Sequence, residues 1–137
     1  MEVYRIALAL YSTLKASGKA GRWNSNGYEV VYTAGTRSLA CLELAVHTNH
    51  LALMDNFKIL VLSIPEHSVL KIEAGRLREG WHLTNSKAYE MCREIGDKWI
   101  DENKFMVLRV PSAIIKSEYN YLLNVNHPDF KKVKLNY

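Results

Sequence analysis

The spacing of apolar side chains divides the chain into a short succession of strands and helices. Val3 to Leu10 is a mainly apolar run carrying Arg5, and reads as a first strand or a strand–helix junction. Lys15 to Gly27 is polar and glycine-rich, hence a loop. Tyr28 to Thr33 is β-branched and aromatic and predicts a strand. Ala34-Gly35 supplies a turn, after which Thr36 or Ser38 can cap a helix. That helix is expected to reach Leu53, with Leu39, Leu42, Val46 and Leu53 as its apolar stripe. Phe57 to Ile64 predicts a buried strand stopped by Pro65, and Val69 to Glu73 a further strand.

Gly75 to Asn85 reads as an irregular connection containing Trp81. Ser86 to Ile100 predicts a second helix with Ala88, Met91, Cys92, Ile95 and Trp99 on one face. Phe105 to Val110 is a strand ended by Pro111, Tyr119 to Asn124 is another, and a short tail follows. Strands and helices mix without regular βαβ alternation. The expected fold is therefore α+β, a single domain over residues 1–137 with a mixed sheet, and not a doubly wound one.

Composition narrows the class. A chain of 137 residues, 48% hydrophobic and 23% charged, has the make-up of one soluble globular domain. No run approaches the roughly 18 apolar residues of a membrane span. The start Met-Glu-Val-Tyr-Arg lacks the apolar core of a secretory signal. Cys41 and Cys92 fall in helical patterns without metal-ligand spacing, and read as reduced, buried thiols of a cytoplasmic protein. The net charge of +4 favours an anionic ligand or an acidic partner. Lys131, Lys132 and Lys134 cluster near the end without interleaved aromatics, which reads as a solvated tail, with no direct nucleic-acid contact.

Candidate chemistry concentrates between Gly18 and Glu43, with contributions from Arg5 and Ser112. Glu43 falls at the edge of the first helix's apolar stripe, where a carboxylate needs a partner. It is either a tie between helix and sheet or a poised acid at the floor of a cleft. Arg22, between Gly21 and Trp23, is either an exposed loop arginine or a bidentate phosphate grip. Trp23 reads as the anchor of its loop. Arg5 either snorkels to solvent or points into a polar pocket. Tyr32 ends its strand as a core aromatic or as a stacking platform for a ring. Ser112 follows Pro111 at a strand end, a place that often lines clefts and is also an ordinary stop. His47 and His50 lie in the first helix without His-Glu-x-x-His spacing. Cys-x-x-Cys, P-loop, Gly-x-Gly-x-x-Gly and Gly-x-Ser-x-Gly patterns are missing from the sequence as well. His127-Pro128-Asp129-Phe130 reads as a turn with a buried Phe130.

Together these segments resemble the RES-domain family, the toxins of bacterial RES–Xre toxin–antitoxin modules. The matching pieces are Tyr4-Arg5, Gly21-Arg22-Trp23-Asn24 with Gly27, Val30-Val31-Tyr32-Thr33, and Leu39-Ala40-Cys41-Leu42-Glu43 leading to Val46-His47. Val110-Pro111-Ser112, Leu123-Asn124 and His127-Pro128-Asp129-Phe130 complete the order. Ala20 stands where relatives often carry a second glycine, and Val125-Asn126 where they often read Asn-Pro. The family is named for an arginine, a glutamate and a serine, which map to Arg5 or Arg22, Glu43 and Ser112.

The resemblance implies a core similar to ADP-ribosyltransferase toxins and an activity that consumes NAD without a metal. The nicotinamide–ribose bond would be cleaved with water or inorganic phosphate as acceptor. Some members are described as ADP-ribosylating a protein instead. An Xre-type helix-turn-helix antitoxin would plug the cleft. On this expectation Arg5, Glu43 and Ser112 are catalytic, and Arg22 and Tyr32 bind the dinucleotide. Arg5 and Arg22 would hold phosphate, Tyr32 would orient the nicotinamide end, Glu43 would face the ribose, and Ser112 would add a hydrogen bond. A non-catalytic nucleotide-binding module is the remaining alternative.

Overall fold

The β-branched and aromatic runs build one mixed sheet of seven strands, ordered β4-β5-β6-β2-β1-β3-β7. A computed structural model describes residues 1–8, 14–48 and 57–136. The strands are β1 (Glu2–Leu8), β2 (Val30–Ala34), β3 (Phe57–Ser63), β4 (Val69–Lys71), β5 (Val107–Pro111), β6 (Tyr119–Asn124) and β7 (Lys134–Asn136). β4 and β5 run parallel, and the other recorded pairings are antiparallel. Two helices, α1 (Arg37–Thr48) and α2 (Ser86–Glu102), complete the α+β domain. The expected C-terminal tail is only partly a tail: Lys134–Asn136 adds to β3 as an edge strand. Leu10, His50 and Leu53 lie outside the described residues.

Both helices start on side-chain caps. The Thr36 hydroxyl accepts the Leu39 N–H (3.1 Å), and Asn85 Oδ1 accepts the Ala88 N–H (2.9 Å). α2 buries Ala88, Cys92, Gly96 and Trp99 against a cluster formed with Trp23, Leu108, Val110 and Leu122. Asn103 closes it in the left-handed region at φ 52°. The opposite face of the sheet centres on Val3, Val31, Leu60, Leu62 and Leu123.

The apolar stripe expected on α1 is not its buried face. Leu42 and Val46 are 36% and 50% exposed, whereas Leu39 and Ala40 are buried. The packed face runs through Leu39, Ala40 and Glu43, at helical spacings of three and four. Glu43 therefore sits on the inward side of the helix, not at its edge. Cys41 is exposed, contrary to the buried thiol expected, because it lies off that face; Cys92 is buried, and both are free.

β1 and β2 are joined by one recorded bridge, Tyr4↔Ala34. β1 instead pairs along its whole length with β3, and β2 with β6. The middle of the sheet is thus a fork, closed near Tyr4 and Ala34. No helix among the described residues is long and apolar enough to cross a membrane.

Candidate active site

A cleft of about 340 Å³ opens at this fork. β1 contributes Tyr4, Arg5 and Ile6, α1 contributes Ala40 and Glu43, and the Ala20–Trp23 loop forms the facing wall. Tyr32, Thr33 and Asn120 lie between them.

Alternation along β1 puts Arg5 on the same side as buried Val3 and Ala7. Its guanidinium reaches sideways to the Tyr32 carbonyl, donating from Nη1 at 3.5 Å. Its Nε–H is buried and has no partner among the described residues. Burial draws the Arg5 pKa down. A desolvated, incompletely paired cation in a cleft is a receptor for an anion.

Glu43 Oε1 accepts from Asn120 Nδ2 (2.9 Å) and from the Ser112 hydroxyl (3.2 Å). Ser112 itself is 2% exposed and does not border the cleft. Its oxygen accepts the Ile114 and Ile115 N–H groups, each at 3.0 Å, fixing the turn after β5. Ser112 thus sits behind Glu43, its hydroxyl held between the turn at its back and the carboxylate in front.

The facing loop is bound to itself. Asn24, 1% exposed, donates through Nδ2 to the carbonyls of Lys19, Ser25 and Tyr28, at 3.0, 3.2 and 3.1 Å. Its Oδ1 accepts from the Gly21 N–H (3.1 Å) and the Tyr32 hydroxyl (2.7 Å). The Tyr32 hydroxyl in turn accepts the Trp23 N–H at 2.9 Å. Burial, the largest influence, pushes the Tyr32 pKa up, far above an ordinary phenol. Tyr32 thus borders the cleft while its hydroxyl serves the loop. Gly21 is glycine for a steric reason: a Cβ there would stand 2.6 Å from the Tyr32 hydroxyl.

Arg22 borders the cleft, yet its guanidinium is committed elsewhere. It donates to the Trp81 carbonyl at 2.8 Å, to Leu83 at 3.2 Å and to His82 at 3.4 Å. It also lies 4.8 Å from the Tyr89 ring centroid. Arg22 thus ties the loop to the 81–83 segment. α2 supports the same loop: Arg93 Nε donates to the Gly21 carbonyl (2.8 Å), and Asp97 accepts from the Ser25 N–H (2.9 Å) and hydroxyl (2.5 Å). A Cβ at Gly96 would fall 1.6 Å from the Trp23 carbonyl oxygen, so helix backbone rests on loop backbone.

The arrangement brings Arg5, Arg22, Tyr32 and Glu43 to one cleft, with Ser112 behind Glu43. A family model described as the RES domain matches residues 2–136. The chain belongs to the RES-domain family. Among its relatives, a "Prs ADP-ribosylating toxin" from Sphingobium sp. is 36% identical over 117 residues, covering 83% of this chain and 71% of that protein. A "Toxin Res" from Photorhabdus laumondii is 34% identical, with 96% and 86% covered. Another "Toxin Res", from Yersinia enterocolitica, is 30% identical, with 96% and 88% covered. The fold matches a chain in the M. tuberculosis MbcT-MbcA toxin–antitoxin complex at a TM-score of 0.77 and 16% identity, over 99% of this chain and 81% of that one.

Asn24, Asn120, Arg93 and Gly96 are functional neighbours that local pattern alone does not single out. Asn120 nonetheless had a readable signal. It sits between Tyr119 and Tyr121, so alternation puts it beside Leu122, an amide on an otherwise apolar face. Gly96, in the middle of a helical pattern, was the corresponding signal for close backbone approach.

Proposed function

We propose that this RES-domain chain is the toxin of a toxin–antitoxin module and that it depletes NAD by cleaving the nicotinamide–ribose bond. The observation that carries this reading is a glutamate bound by Asn120 and Ser112 in a cleft that also contains a half-buried arginine, whose Nε–H has no partner among the described residues. Breaking an N-glycosidic bond builds positive charge on the ribose. Glu43 stabilises that charge and accepts from the ribose hydroxyls. Arg5 pairs with the diphosphate or with an acceptor phosphate. The walls formed by Tyr32 and Tyr4 shield the nicotinamide end. A cleft of about 340 Å³ suits the nicotinamide–ribose half of the dinucleotide.

Water or inorganic phosphate takes the ADP-ribosyl group, and an Xre-type antitoxin covers the cleft mouth in the cytoplasm. The test is nicotinamide release from NAD by the purified chain, with and without phosphate, beside Glu43→Gln. Release that vanishes in the variant supports the reading; equal release overturns it.

A second reading follows from one relative's name. That Sphingobium protein is called an ADP-ribosylating toxin. In this reading the same cleft transfers ADP-ribose to a protein side chain. Labelled NAD in a lysate separates the two: a labelled protein band supports transfer, and free ADP-ribose or its phosphate supports NAD loss.

A further inference from the structure

Asn120 stands where a central strand would ordinarily carry an apolar residue. It lies opposite Val110 on β5 and Ala34 on β2, so its backbone is paired on both sides. Leu122, two residues on and facing the same way, is fully buried. An amide on such a face needs a hydrogen-bond partner. Its Nδ2 donates to Glu43 Oε1 at 2.9 Å, at the border of the cleft. The orientation is fixed by chemistry, since the amide oxygen turned toward a carboxylate would set two acceptors against each other. Ser112 reaches the same oxygen, and its lone pairs already receive the Ile114 and Ile115 N–H groups. Its proton is left to be donated to Glu43. Two obligate donors therefore meet at Oε1, one from a turn and one from a rigid strand.

We propose that Asn120 is a positioning residue for Glu43: its amide fixes the rotamer and the ionised state of the glutamate, and so governs turnover without touching the bond that breaks. The proposal rests on the NAD-cleavage reading of the cleft. Donors on a carboxylate favour its charged form, and two of them at one oxygen restrain its final torsion.

The test compares nicotinamide release by the native chain, Asn120→Ala and Asn120→Asp, with thermal unfolding of each. Asn120→Ala is expected to lower kcat by roughly 10–100-fold, the size of one lost hydrogen bond to a charged group. KM should stay within about threefold, since ground-state binding is not the target. Asn120→Asp keeps the shape but sets a like charge against Glu43 at neutral pH, and regains a donor when the pair takes up a proton. Its kcat, relative to Asn120→Ala at each pH, is expected to climb as pH falls from about 8 toward 5. Parallel pH profiles for the two variants, or a loss confined to KM, would overturn the proposal. Should Asn120→Ala fail to fold, the near-isosteric Asn120→Asp carries the test against the native profile.

If the native chain itself releases no nicotinamide, the NAD reading fails separately. A urea-unfolding double-mutant cycle across Glu43→Gln and Asn120→Ala then decides the pairing. Coupling within error of zero overturns it, and measurable coupling supports it.

Discussion

The two walls of the cleft differ in how far their polar groups are already committed. On the loop wall, Asn24 satisfies Gly21, Lys19, Ser25, Tyr28 and Tyr32, and Arg22 is bound to the carbonyls of 81–83. On the β1–α1 wall, Arg5 keeps a buried N–H without a partner among the described residues, and Glu43 accepts from Asn120 and Ser112. In the proposed reading one wall is scaffold and the other carries the chemistry. Both contain an arginine in a conspicuous place, so residue type did not separate them; the hydrogen-bond commitment of the two guanidiniums does.

Substitutions can break that contrast. Glu43→Gln should have the largest effect, a loss of about 3–4 kcal/mol of transition-state stabilisation with the fold retained. Nicotinamide release and a thermal melt on the same sample check it. Gly96→Ala should cost about 3 kcal/mol or more of folding stability, because the new methyl would meet the Trp23 carbonyl at 1.6 Å, backbone against backbone. Urea unfolding reads that loss.

The two arginines then give opposite signatures. Arg5→Met keeps the stem and removes the charge, so catalytic efficiency should fall by about 2 kcal/mol while stability is unchanged or rises. Arg22→Met should cost about 1–2 kcal/mol of stability while kcat per folded molecule changes less than about threefold. Matching outcomes for the two arginines would erase the distinction between the walls.

Tyr32→Phe sharpens the contrast further, with an expected cost of about 1 kcal/mol for the orphaned Trp23 N–H and the lost bond to Asn24 Oδ1. The raised Tyr32 pKa also sets a pH signature. A group raised in the folded state lends its full stability below its unfolded value, about pH 10 for a phenol. That contribution is lost as pH rises through the higher folded value. The alkaline loss of stability should therefore be shallower in Tyr32→Phe than in the native chain.

Much of this molecule was legible in its sequence, and the gaps have physical causes. The strand runs, the Thr36 cap and the apolar face of α2 followed from local pattern. The α1 stripe was misplaced because periodicity gives a face but not the sheet's direction; Leu39 fits the stripe and the packed face alike, whereas Leu42 and Val46 fit only the stripe. The Gly21–Asn24 segment was legible as special but not as self-contained, since what Arg22 bonds to lies 59–61 residues away. Ser112 was found at a strand end, but whether it faces ligand or supports a neighbour depends on the turn behind it. Lys134–Asn136 was missed because a three-residue edge strand carries almost no periodic signal.

The bare backbone contact at Gly96 makes a helix position and a cleft rim one mechanical part. No side chain stands between α2 and the Trp23 carbonyl to absorb a displacement. Conservative swaps at Leu108, in the sheet beneath the helix, or at Trp99, on the helix's buried face, should therefore surface as altered grip on substrate before they surface as loss of the fold.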